Sequence, residues 1–330
     1  MKILGHEIIF VSDALHEPHG FQFYSLPIHR GNRSYWGRLQ NIRSLRRIIE
    51  EDKVDLVHSH SRAANLIARF SNAPFVTTAH GRWRNTFAFR AFPCLGREAV
   101  AMCPYLERYL AEDIKISAEK ISMIPNAIDT DRFAPGGKIG DFRTILYVGR
   151  FSGQKGKALR FLLDKVIGQV LNDFPDARFK IVADAPSIKD QELVRGLNGG
   201  WLVDSVEING PAGDLTPLYR KTALVVGAGR VALEALACGK PVISIGESSA
   251  PGLLTESNFD DAFDSNFGDC GVWNLFLSQK DRLIRDFTRI LGDDALWNKL
   301  SMWGRQTVLE KFDSHLVARQ LEGVYQKALS

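Results

Sequence analysis

Two short segments of this chain carry residues whose types and spacing suit the handling of a phosphorylated ligand. In Tyr147-Val148-Gly149-Arg150-Phe151-Ser152-Gly153-Gln154-Lys155-Gly156 an apolar run ends in a glycine-containing loop that opens into a helical stretch. Such a loop lets backbone N–H groups and the positive end of a helix face an anion. Arg150 and Lys155 add two cations to the same loop, a clamp for a diphosphate. By itself the segment reads equally well as an ordinary strand-to-helix turn with two solvated cations.

The second segment contains Gly227-Ala228-Gly229-Arg230-Val231-Ala232-Leu233-Glu234, and two chemistries fit it. Gly227, Gly229 and Ala232 after a strand, with Glu247 twenty residues past Gly227, match a dinucleotide fingerprint in which Glu247 takes the adenosine ribose. In the other reading Glu234, one turn into the helix, accepts hydrogen bonds from the 2′- and 3′-hydroxyls of a ribose. The amides of Gly229, Arg230 and Val231 then face the phosphates. The fingerprint alone leaves both open.

The elements that must position these residues follow from the alternation of short β-branched runs with amphipathic stretches, the mark of an α/β fold with a mostly parallel sheet. Strands are predicted at residues 7–11, 22–26, 56–58, 75–78, 100–102 and 121–124 in the first half. The second half has them at 144–148, 179–182, 206–208, 223–226 and 241–245. Leu39, Ile42, Leu45, Ile48 and Ile49 recur at helical spacing, with Arg38, Arg43, Arg46 and Arg47 largely off that stripe. That basic face suits either plain solvation or an anionic membrane surface. The breaker-rich residues 134–140 read as a linker. The expected division is residues 1–135, a linker at 136–142, a second domain at 143–312 and a last helix at 313–330.

Composition narrows the class. The 330 residues are 45% hydrophobic and 24% charged, ordinary for two globular domains and far from disorder. The net charge of +4 lies wholly in residues 1–137, which hold 18 Lys and Arg against 14 Asp and Glu. An excess that modest suits an anionic partner but not nucleic acid, and no nucleic-acid reader motif is present. No secretory leader or membrane-spanning run is visible. The four scattered cysteines form no CxxC pair, so reduced thiols in the cytoplasm are expected, and no metal site.

Five segments in series resemble glycosyltransferase family 4. They are Leu56-Val57-His58-Ser59-His60, Thr78-Ala79-His80-Gly81, Ile124-Pro125-Asn126-Ala127-Ile128-Asp129-Thr130-Asp131-Arg132-Phe133, Gly149-Arg150 with Lys155-Gly156, and Leu233-Glu234-Ala235-Leu236-Ala237-Cys238-Gly239-Lys240-Pro241-Val242-Ile243. The resemblance implies a GT-B fold of two Rossmann-like domains, the donor in the second, and retention of anomeric configuration without a metal or other cofactor. It implies that the last helix crosses back to the first domain. By carry-over Gly149, Arg150 and Lys155 hold the diphosphate of a UDP- or GDP-type sugar, Gly229, Arg230 and Val231 lie along it, and Glu234 holds the ribose. His80 contacts the donor sugar. Arg150, Lys155 and His80 are thus the expected catalytic groups. Base and sugar selection is expected to depend on the loops Asp184–Ile188, Asn209–Pro211 and Glu247–Gly252, with Asp184 and Pro211 as donor-site candidates. His60, Arg82 and Trp83, with Arg84 and Phe87, are candidates for the acceptor, a saccharide or lipid-linked glycan of the cell envelope. At least one of His58 and His60 is expected to be purely structural.

Two features depart from the family. Its paired glutamates lie eight residues apart, and the position eight before Glu234 is Val226. The first strand, glycine-rich loop and helix that open the family are also missing ahead of Gly5-His6-Glu7, so the first domain is expected to be incomplete. Both departures favour a second reading, a non-catalytic relative that binds a nucleotide sugar or a partner protein. An NAD-dependent oxidoreductase remains a third, on the fingerprint alone.

Overall fold

The computed structural model describes residues 1–13, 20–31, 34–83, 92, 94–136, 143–199, 205–272 and 274–330. The chain divides into two units, Met1–Pro125 with His315–Ser330, and Asn126–Ser314.

In the first unit β1 (Ile9–Ser12) and β2 (Gln22–Ser25) pair in parallel, and β3 (Val57–Ser59), β4 (Phe75–Ala79), β5 (Glu98–Ala101) and β6 (Ile121–Met123) form a parallel sheet in that order. Every residue of β4 and β5 is buried, as expected for strands covered on both faces. The Tyr35–Glu51 helix starts on Ser34, whose hydroxyl accepts from the Gly37 N–H, and turns Leu45 and Ile48 inward. Leu45 packs with Ile28 and with Ile67 of the Arg62–Arg69 helix. The Ser314–Leu329 helix belongs to this unit. Glu322 meets His6, Tyr325 meets His58, and Lys327 pairs with buried Glu98 at 2.9 Å.

The second unit holds β7 (Thr144–Val148), β8 (Arg178–Val182), β9 (Val206–Asn209), β10 (Leu224–Gly227), β11 (Val242–Ser244) and β12 (Gly252–Leu253) in the order β12-β11-β10-β7-β8-β9. All pairings are parallel except β11 with β12. Period-two alternation sends side chains to two cores. Ile145, Tyr147, Leu224, Val226, Phe179 and Ile181 face one, and Leu146, Val225 and Val182 the other. The first core is closed by the Gly153–Leu162 and Lys280–Leu291 helices and the second by Arg230–Ala237 and the end of Asp294–Lys311.

The unit boundary corrects the expected one. Residues 126–135 were assigned to the first domain, yet they belong to the second unit for a backbone reason. The Ile128 N–H donates to Phe312 O at 2.8 Å and Ser314 N–H to Ile128 O at 2.9 Å, while Ile128 and Phe133 are buried in the second core. Arg305 donates to the carbonyls of Thr130, Phe133 and Ala237 and ties the segment down. Residues 137–142 of the expected linker lie outside the described residues. Predicted strands agree within two residues at either end, the largest shifts being 7–11, found at Ile9–Ser12, and 100–102, found at Glu98–Ala101. The two-residue β12 carries no periodicity to read and was not predicted.

Candidate functional site

The strand order places β7, the first strand of the second unit, beside β10, its fourth. Connections leave these two strands in opposite directions, which makes their C-terminal ends the topological switch point where doubly wound sheets bind ligands. The loops that follow are the two chemically suggestive segments. This also decides the dinucleotide question. That fingerprint works in the first βα turn, whereas Gly227-x-Gly229-x-x-Ala232 follows the fourth strand. The NAD reading is therefore set aside, and Glu247 is found on Arg150 instead, at 3.3 Å.

The loop after β7 is tightly built. Gly149 donates to Val182 O at 3.0 Å, and a Cβ there would lie 2.5 Å from the Tyr147 hydroxyl oxygen. A Cβ on Gly156 would lie 1.8 Å from the Phe151 carbonyl oxygen, so the helix can start this close to the loop only with glycine. Asp184 accepts from the Phe151 N–H. Burial alone would raise its pKa, but hydrogen bonds from Ser152 and the loop backbone outweigh that and hold it below the usual carboxylate range. Asp184 thus braces the loop after β7. Arg160 braces it from the helix, donating to Phe151 O at 3.0 Å and to both oxygens of Asp190 at 2.6 and 3.0 Å. Asp190 is buried and completes a capping box with Ser187. Its burial opposes ionisation, yet the Arg160 and Ser187 donors prevail and lower its pKa to about 2.

In the loop after β10, Gly229 has φ +57° and precedes the Arg230–Ala237 helix. Glu234 is buried on that helix, its side chain only 8% exposed. One oxygen accepts from Arg230 Nε at 2.7 Å and the other from the Tyr219 hydroxyl at 3.1 Å. Burial and the neighbouring carboxylate push the Tyr219 hydroxyl far up, so it stays a donor. The Arg230 side chain is 62% exposed and can swing off toward a ligand, which frees a Glu234 oxygen. Val231 packs beside Gly227, within 2.5 Å of where a Cβ would sit. Pro211 is exposed in the loop after β9.

The two loops converge through a third segment that the sequence reading missed. Lys155 Nζ lies 2.8 Å from Asp269 Oδ2, and that same oxygen lies 2.7 Å from the Cβ position of Gly229. A Cβ on Gly246, next to Glu247, would lie 2.7 Å from the Asp269 backbone nitrogen. Arg150, Lys155, Gly229 and the start of the Glu234 helix are therefore linked through direct neighbours. Asp269 went unread because no periodic spacing ties it to Lys155, 114 residues away. Arg160, Asp190 and Tyr219 were missed too. They shape the site from behind; the Ser187-x-x-Asp190 spacing signals only a helix start, and nothing in the local sequence ties Arg160, Asp190 or Tyr219 to the site.

The remaining candidates lie in the first unit. His58, His60 and His80 form a stack, with ring centroids 4.2 Å apart for the first pair and 5.2 Å for the second. His58 is structural: its nitrogens meet the Tyr325 hydroxyl at 2.6 Å and Thr78 Oγ1 at 2.7 Å. His60 Nδ1 and His80 Nε2 are 2.9 Å apart, so one ring donates a proton to the other. Burial lowers all three pKa values, with neighbouring imidazoles adding to the effect for His58, at about 3, and His60, at about 4. His80 is therefore neutral at pH 7, a hydrogen-bonding group and not a charge. Arg82 lies over the Tyr109 ring, its guanidinium carbon 5.5 Å from the centroid, and the Tyr109 hydroxyl donates to Trp83 O at 2.7 Å. Arg84 and Phe87 lie outside the described residues.

The buried histidine has a consequence for stability. A histidine whose folded pKa is depressed contributes stability that is complete above its unfolded value near 6.5 and is lost as pH falls toward the folded value. Wild-type unfolding midpoints should therefore decline from about pH 6.5 downward, at no more than about 1.4 kcal/mol per pH unit for His58. In His58→Gln the decline in this window should be shallower. Equal slopes for both proteins in urea unfolding between pH 7 and pH 4 would exclude this role.

A parallel sheet of Rossmann order, with a glycine loop bearing two cations at its switch point, defines a nucleotide-binding α/β enzyme. Comparison with known proteins agrees. The Glycosyltransferase Family 4 model matches residues 1–132 and the Glycosyl transferases group 1 model residues 142–262. The chain belongs to glycosyltransferase family 4 and has the GT-B fold. It is 24% identical over 323 residues to the UDP-Gal:alpha-D-GlcNAc-diphosphoundecaprenol alpha-1,3-galactosyltransferase of Escherichia coli, covering 83% of this chain and 76% of that one. A glycosyltransferase from Rickettsia africae superposes with a TM-score of 0.75 at 23% identity, over 100% of this chain and 92% of the other. Anabaena HepE in complex with UDP and glucose superposes with a TM-score of 0.70 at 15% identity, over 97% and 100%.

Proposed function

We propose that this glycosyltransferase moves a hexose from a UDP-sugar to a saccharide or lipid-linked acceptor of the cell envelope, with retention and without a metal, at the cytoplasmic membrane face. The observation that carries the reading is the meeting of Arg150 and Lys155 with the Gly229 loop at one switch point, each cation resting on a carboxylate that an incoming diphosphate would displace. As the glycosidic bond breaks, charge grows on the leaving phosphate, and these cations stabilise it electrostatically. Glu234 is positioned to hold the ribose once Arg230 turns away. His80 is assigned to the donor sugar, and Asp184 and Pro211 border the base and sugar. His60, Arg82 and Trp83 are assigned to the acceptor.

The choice of a uracil nucleotide and an envelope acceptor draws on the named galactosyltransferase and on the UDP complex. Among the described residues no helix is long and apolar enough to cross a membrane. Peripheral attachment is supported by Tyr35 and Trp36, each 71% exposed at the start of the arginine-rich Tyr35–Glu51 helix. Its Arg46 is already spent, donating to Phe70 O at 2.7 Å. A binding protein without turnover is the second reading, since Val226 is wholly buried and offers no carboxylate.

A thermal-shift screen against UDP, GDP and NAD tests the assignment. UDP should raise the unfolding midpoint and NAD should not. Transfer from UDP-sugars should survive EDTA and give a product of retained configuration by proton NMR. Stabilisation by NAD alone would remove the donor assignment, and UDP binding with neither transfer nor hydrolysis would favour the second reading.

A further inference from the structure

Asp269 is a carboxylate held where an anion is expected to bind. It ends a run of left-handed backbone, with φ +49° at Asn266, +57° at Phe267 and +91° at Gly268. Two non-glycine residues in that region cost roughly 1 kcal/mol or more each, and such strain persists where the surroundings enforce it. Here they do. Ser244 Oγ donates to Phe267 O at 2.7 Å, Ser248 Oγ donates to Gly268 O at 2.7 Å, and Gly268 N–H donates to Ser265 Oγ at 3.0 Å. The loop therefore delivers its carboxylate to one place.

That place adjoins both halves of the donor site. Oδ2 meets Lys155 Nζ and borders Gly229, where any side chain would collide with it. Oδ1 is buried and accepts no hydrogen bond, although buried acceptors are nearly always satisfied. A phosphate cannot supply the missing donor, because its oxygens carry no proton to give in the diester-like diphosphate of a nucleotide sugar. Beside the phosphates of a nucleotide sugar, the donors suited to a carboxylate are its hydroxyls. Those of the ribose are assigned to Glu234, which leaves those of the transferred sugar.

We propose that the Asp269 carboxylate receives hydroxyl groups of the transferred sugar, supplying from a distant loop the acid that Val226 does not provide. The assignment rests on the UDP-sugar reading of this site. When the diphosphate draws Lys155 onto its own charge, both Asp269 oxygens become acceptors for the sugar.

The test is calorimetric titration of UDP and UDP-glucose into wild type and Asp269→Asn, with near-ultraviolet circular dichroism to confirm folding. Asp269→Ser, smaller and still polar, serves as the second variant if the amide misfolds. UDP should bind the variant at least as tightly as wild type, because the competing charge on Lys155 is gone. UDP-glucose should lose about 10–100-fold in affinity, the worth of a charged hydrogen bond to a hydroxyl. A parallel gain for both ligands would make Asp269 a mere counter-ion of Lys155 and overturn the proposal, as would unchanged binding of both. Wild type that binds neither ligand would overturn the donor reading, and this assignment with it.

Discussion

Lys155→Ala is expected to lower kcat by about 10²–10³-fold, the usual cost of deleting one preorganised group on developing charge. The loss should appear in kcat as well as kcat/KM, because Lys155 faces charge that grows only as the leaving group departs. Stability should change too. Asp269, whose side chain is 16% exposed, loses its counter-ion, and a poorly compensated carboxylate costs about 1–3 kcal/mol. The double variant Lys155→Ala/Asp269→Asn separates the two effects. Its unfolding midpoint should recover toward wild type, whereas its turnover should stay low. Turnover that recovers together with the midpoint would show that the lysine acts through folding alone. Arg150 is expected to matter less for stability, since its 3.3 Å pair with Glu247 is half exposed and screened.

Arg160→Met should have the largest effect on folding. It leaves the Asp190 carboxylate, 1% exposed, with only its Ser187 donors. Breaking a buried pair from one side costs about 3 kcal/mol or more, which for a unit of this size lowers the midpoint by about 6–12 °C. The sign of the pH dependence follows from the depressed Asp190 pKa. An aspartate held at about 2 contributes stability that is complete above its unfolded value near 3.9 and is lost as pH falls through the folded one. The gap between wild type and Arg160→Met should therefore be full at pH 7 and narrow between about pH 4 and pH 2. A gap that stays constant down to acid would mean that packing, not the ion pair, carries the effect. Because Arg160 also holds Phe151 O, donor KM should rise in the variant even well below its midpoint.

Local sequence determined much of this protein. Strand positions in both units were legible, except for the two-residue β12, because most of the strands are short apolar runs between breakers. The Gly149–Gly156 and Gly227–Glu234 loops were legible because glycine, cation and carboxylate sit within a turn or two of one another. Even Val226 was legible as a departure, and the structure shows it wholly buried in β10. What spacing could not reveal was which strands lie side by side. The order of strands along the chain already set Gly227–Glu247 after the fourth strand, where the dinucleotide fingerprint does not belong, and the sheet order added that this strand neighbours the first, so that the two loops meet at one switch point. The unit boundary was not legible either. The Asn126–Phe133 segment joins the second unit through backbone bonds to Phe312 and Ser314, and such bonds leave no mark on side-chain pattern.

The partners of the site residues belong to tertiary structure alone. Asp269 reaches Lys155 across 114 residues, Tyr219 reaches Glu234, and His58 meets Tyr325 across 267. A carboxylate or hydroxyl reads the same in sequence whether it faces water or a buried cation. Its chemistry is decided by what the fold brings within about 3 Å of it, where hydrogen bonds and charge pairs act. Residue types and short spacings thus determined the ligand class, and the packing of distant loops decided which acids and bases stand ready to hold it.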